Sequence, residues 1–199
     1  MADAGSAEVT LDGGWEGFAS WRPQARAELG TSARTDGVQV RVVDRGVYVG
    51  GNTEYSAYLG GRHWKRLDPA DPVVGREAGL GLAPVVAFGR RLDPTRGLEK
   101  SSLEAVAKVG RERLGEENTT HYRAVMRADY YFEDTSPGQA TVDYWVNDRD
   151  QLIQQAHAPD PAAQGGTTTI RYARLGVPVD VTVPARADVL DPLLGRPEH

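Results

Sequence analysis

The sequence predicts an α+β protein built mainly from antiparallel β-sheet. Three observations carry that expectation. Segments that alternate apolar and polar residues recur along the chain, as in Val38-Gln39-Val40-Arg41-Val42, and a period of two turns one side of a strand inward and the other to water. Short polar turns such as Asp44-Arg45-Gly46 and Asn147-Asp148-Arg149-Asp150 join these segments. Only one stretch, near residues 80–88, has a helical pattern, so a large sheet has little helical cover.

The elements follow in order. Strands over 7–11 and 15–21 flank Asp12-Gly13-Gly14 and predict a hairpin. Pro23 ends the second strand. A third strand is expected over 25–32, a hairpin over 38–49 and a short strand over 63–67. Leu80, Leu82, Val85, Val86 and Phe88 predict one short amphipathic helix, and Asp93-Pro94 a second helical start, since Asp caps and Pro suits a first turn. A meander is expected next, with strands over 103–114, 119–129, 140–146, 151–157 and 167–174 and a turn over 115–118. An edge strand over 179–183 and a last helical turn over 187–194 complete the reading. Composition changes too little along the 199 residues to mark a boundary, so residues 1–199 read as one domain.

Composition narrows the function. The net charge is −5 and the 23 basic residues are scattered, which argues against nucleic-acid binding. With no cysteine, disulfides, thiolate metal sites and cysteine nucleophiles are excluded. The first residues lack the basic and apolar regions of a signal peptide. Taken as written, the chain would be cytoplasmic.

Catalytic chemistry has no visible seat. There is no Gly-x-Ser-x-Gly elbow, phosphate loop or dinucleotide fingerprint. His63, His121 and His157 fall one per strand, without ligand spacing. The expectation is no enzyme, no metal and no cofactor. The apolar residues say more. If each strand turns its apolar side one way, Val40, Val42, Trp64, Tyr122, Met126, Tyr144, Ile170 and Tyr172 line one wall, with Val85 and Phe88 supplied by the helix. Those ten are the candidate lining of an apolar cavity.

Several passages resemble a known family. They are Val42-Val43-Asp44-Arg45-Gly46-Val47-Tyr48-Val49, then Tyr58-Leu59-Gly60-Gly61 with Trp64-Lys65-Arg66-Leu67-Asp68, and Thr119-Thr120-His121-Tyr122-Arg123-Ala124. Val142-Asp143-Tyr144-Trp145-Val146-Asn147, Thr168-Thr169-Ile170-Arg171-Tyr172 and Gly176-Val177-Pro178-Val179-Asp180-Val181 complete the series. Their order and spacing resemble the LppX/LprG/LprA group of actinobacterial lipoproteins, whose fold is similar to the carriers LolA and LolB. The resemblance implies a half-barrel: a strongly bent antiparallel sheet with one or two short helices on its concave face. It further implies an exported, membrane-anchored lipoprotein that binds or carries a lipid or acyl chain at the cell envelope without catalysis, as a monomer, with an envelope protein as a further candidate partner. The family's signal segment, lipidated cysteine and first helix have no counterpart in the 199 residues, and the link over 130–139 is short where relatives carry a helix. The competing expectation is an interaction or sensor domain that presents the same sheet to an envelope protein and holds no lipid.

Overall fold

The computed structural model describes residues 4–31, 37–44, 46–51, 56–57, 59–67, 88, 92–95, 98, 103–127, 139–158 and 167–191. The chain divides into two compact units. The middle unit takes Asp93–Ala173 with Met1–Ala4, and the N/C unit takes Gly5–Leu92 with Arg174–His199.

In the N/C unit six strands run in sequence order, each antiparallel to the next: β1 (Ser6–Leu11), β2 (Trp15–Ser20), β3 (Arg26–Thr31), β4 (Gln39–Val43), β5 (Gly46–Gly50) and β6 (Trp64–Leu67). Asp12-Gly13-Gly14 makes the first turn, with φ of 87° and 78° at the two glycines, a backbone that a side chain disfavours. Leu29 lies opposite Val40, Val40 opposite Val49, and Val47 opposite Leu67. This register gathers most of the apolar residues of the six strands on one face. Val9, Leu29, Val40 and Val49 there are almost fully buried, each worth roughly 1.5–3 kcal/mol to the fold. The opposite face carries Glu28, Arg41, Tyr48 and Arg66, in register with one another, and Trp64 two residues before Arg66 on β6.

The middle unit is a five-stranded antiparallel meander: β7 (Leu103–Leu114), β8 (Glu117–Arg127), β9 (Gln139–Asn147), β10 (Leu152–His157) and β11 (Thr168–Ala173), ordered β11-β10-β9-β8-β7. The turn after β7 is tighter than expected. Leu114 pairs with Glu117 across only Gly115-Glu116, so β8 begins two residues early. After β9 the side chain of Asn147 accepts hydrogen bonds from the Arg149 and Gln151 amides, both at 3.0 Å, closing the expected polar turn. At the start of the unit Asp93 Oδ1 accepts from the Thr95 amide at 2.8 Å, the capping role its place before Pro94 predicts. The helix expected over 80–88 lies outside the described residues apart from Phe88, which is buried.

Two expectations fail at the C-terminus. Residues 179–183 form no strand. Pro178 and Pro184 bracket the segment and offer no N–H. It lies instead against the charged face of the N/C unit. There Val181 packs with Val43, Tyr48 and Trp64, and its carbonyl accepts from Arg26 Nη1 at 3.2 Å. The last helical turn is a three-residue 3-10 turn at Arg186–Asp188, followed by the two-residue strand β12 (Val189–Leu190) parallel to β6. The rest of the segment, from 192, lies outside the described residues.

Candidate ligand-binding faces

The apolar face of each unit follows from strand alternation, and most candidate residues fall on one of them. In the N/C unit Val40 and Val42 sit on the apolar face, both buried. In the middle unit Tyr122, Met126, Tyr144, Ile170 and Tyr172 share one face by register: Tyr122 is opposite Tyr144, Met126 opposite Ala140, and Gln155 opposite both Tyr144 and Ile170. All but Tyr122 are buried. Phe88 is buried, and Val85 lies outside the described residues.

Trp64 is placed elsewhere. It pairs with Gly50, while its neighbour Lys65 pairs with Val49, so Trp64 faces away from Val40 and Val42. Its ring packs among Val43, Tyr48 and Val181, and the Arg41 guanidinium lies 4.5 Å from the ring centroid, a cation–π contact. Arg41 is held in turn by Glu28 at 2.8 Å. A side chain at Gly50 would run into the Trp64 ring, so the glycine is what lets the indole lie flat. Grooves of about 310, 280 and 440 Å³ flank the strand of chain over 176–191 and involve Phe18, Tyr48 and Arg26, but no candidate residue.

Sequence reasoning passed over Gln155 and saw in His157 only a histidine without ligand spacing, yet both are buried. Both lie on the apolar face of the middle unit, where the register puts them opposite Tyr144 and Val142. Strict alternation from Leu152 would have turned them to the other side. A bulge at Ile153 shifts the register, and one extra residue reverses the facing of everything beyond it. Among the described residues Gln155 Oε1 has no hydrogen-bond partner. Burial raises the hydroxyl pKa of Tyr144 and, with Tyr144 and Asp93 nearby, that of Tyr172, so both phenols stay neutral on this face.

The opposite face of the middle unit carries a polar cluster. His121 Nδ1 meets Glu112 Oε1 at 3.0 Å and Nε2 meets Asp143 Oδ1 at 2.9 Å. Its ring stacks on Trp145 at 4.5 Å, whose Nε1 donates to Glu112 at 2.6 Å. Arg123 donates twice to Asp143, at 2.8 and 3.1 Å. The carboxylates sit on opposite sides of the imidazole and do not converge. Among the described residues no group of His, Asp and Glu is arranged to hold a metal. The cluster ties β7, β8 and β9 together. Partial burial pushes the Asp143 pKa up, but bonds from Arg123 and His121 outweigh it and the net shift is downward. The stabilisation is therefore complete above the ordinary carboxylate range and lost as pH falls through the lowered value. Urea midpoints of the wild type and Asp143→Asn, compared from pH 7 downward, should differ most at neutral pH. Below about pH 4 the difference should shrink. A pH-independent difference would deny the linkage.

The fold described above matches solved structures. The chain has the fold of the LppX-type lipoproteins. The crystal structure of lipoprotein LppX from Mycobacterium tuberculosis superposes with a TM-score of 0.55 at 15% identity, over 91% of this chain and 93% of that one. LprF from Mycobacterium bovis gives 0.50 at 16%, over 90% and 89%. In sequence, a Streptomyces coelicolor protein whose name marks it as a lipoprotein is 30% identical over 168 residues, 82% of this chain and 53% of the relative. The chain spans about half the length of that relative. No protein-family model matches it. The resemblance read from the six sequence passages is thereby borne out at the level of homology and fold. Among the described residues no helix of this LppX-type chain is long and apolar enough to cross a membrane.

Proposed function

We propose that this LppX-type chain binds and carries a lipid or acyl chain at the cell envelope, as a monomer and without catalysis. The observation that carries the reading is the largely apolar face in each unit, Val9 to Leu67 in one and Met126 to Tyr172 in the other, on a fold shared with lipoproteins. An apolar ligand gains about 0.8 kcal/mol per buried methylene, so ten carbons contribute roughly 8 kcal/mol before ordering costs. Val9, Val40, Val49, Met126 and Val142 show no exposed surface. Protein atoms already touch them, and a ligand seated there must displace those atoms. Selectivity then rests on shape and on the few polar groups of the face.

Native mass spectrometry after gentle purification is expected to show co-purified lipid. A clean apo mass that does not respond to added phospholipid would sink the reading. A second reading, docking to an envelope protein, has its own observation: the edge strand β7 is exposed along most of its length, and Val106 and Val109 are 53% and 54% exposed. It predicts that Val106→Lys with Val109→Lys abolishes cross-linking to an envelope protein in cells and leaves the lipid adduct unchanged.

A further inference from the structure

We propose that the apolar face of the middle unit receives an uncharged, hydrogen-bond-donating group of the ligand, a hydroxyl on an otherwise hydrocarbon chain, at Gln155 Oε1. The proposal rests on the lipid-carriage reading and names the ligand class within it. Gln155 is 2% exposed, sits opposite both Tyr144 and Ile170, and among the described residues its carbonyl oxygen accepts no hydrogen bond. A buried acceptor without a donor is destabilising compared with an apolar group of the same size. If the position served packing alone, leucine or methionine would be the better occupant. The bulge at Ile153 delivers the carboxamide to this face, and bulges commonly re-aim a side chain beside a site.

The surroundings define the chemistry. Tyr144 and Tyr172 stand on the same face, their hydroxyls kept neutral by burial, and His157 is buried one alternation further along β10. Among the described residues no Lys or Arg is buried on this face, so nothing there would compensate a phosphate or carboxylate. A neutral donor fits an unused carbonyl in such a setting, and a charged headgroup does not. The hydroxyl therefore belongs within the chain of the ligand, with any charged end outside the face.

Oleate and ricinoleate share a carboxylate and a chain length and differ by one mid-chain hydroxyl. Titration of the full chain with each, by calorimetry, is expected to give about tenfold tighter binding of ricinoleate. In Gln155→Leu that preference should vanish while oleate binds at least as well as before. Equal affinities in the wild type, or a preference that persists in the variant, would overturn the proposal and leave lipid carriage standing. Failure of both fatty acids to bind would remove the carriage reading and this one with it. Ligand-free Gln155→Leu should melt at or above the wild-type temperature. A lower midpoint would mean that Gln155 is satisfied within the fold, and would also overturn the proposal.

Discussion

Gly17→Ala is expected to destabilise the N/C unit by about 3 kcal/mol, the upper end for overpacking. Gly17 faces Leu29 across the β2–β3 ladder. A Cβ built there falls well inside contact distance of the Glu28 carbonyl oxygen and 3.0 Å from both the Glu28 carbonyl carbon and Leu29 Cα. These are backbone atoms of a paired strand. They cannot rotate away as a flexible side chain could, so the two strands must separate or the ladder must kink. Gly110→Ala in β7 is the control, because an added Cβ there meets nothing within 4 Å. Its effect should stay within about 0.5 kcal/mol. Urea denaturation of the two variants is the measurement. A Gly17→Ala midpoint close to wild type would show that β2 and β3 are not paired in this register.

Trp64→Ala is expected to cost about 3–5 kcal/mol and to leave lipid uptake unchanged. The indole fills the junction between β5, β6 and the C-terminal segment, against Val43, Tyr48 and Val181, and holds the Arg41 guanidinium over its face. Truncation removes that packing, leaves a cavity, and weakens the seat of the segment that bears Val181 and Val189. The sequence reading places Trp64 in the wall of the ligand cavity, from which weakened uptake would follow. The register of β6 reverses that expectation, since the side of the strand bearing Trp64 is not the side that bears Val40. Chemical denaturation and native mass spectrometry on one preparation separate the outcomes. An ordinary midpoint with lost lipid would return Trp64 to the cavity wall.

Much of the strand grammar was legible because local chemistry dictates it. Residues 103–114 read as a strand and form β7 with the same bounds, and Asp12-Gly13-Gly14 and Asn147–Asp150 turn where their side chains and backbone freedom favour turning. The faces were less legible. Val40 and Val42, and Tyr144, Ile170 and Tyr172, alternate without interruption and were grouped as the register groups them within each unit. Trp64 was misassigned because nothing local in a four-residue strand tells which way its first residue points. The inward facing of Gln155 and His157 was not legible because the bulge at Ile153 leaves no mark in the residue pattern.

By itself the sequence determined that these 199 residues are largely period-two strands joined by polar turns, that they contain no cysteine, and which homologous passages they share. These depend on properties of neighbouring residues along the chain. Only the tertiary structure decided that 179–183 packs as an extended strap over Trp64 and joins no ladder, and that a polar carboxamide lies buried on an apolar face. The first depends on surfaces brought together across more than a hundred residues of sequence and the second on how β10 pairs with β9 and β11 around a bulge, and packing between paired or distant segments overrides local preference.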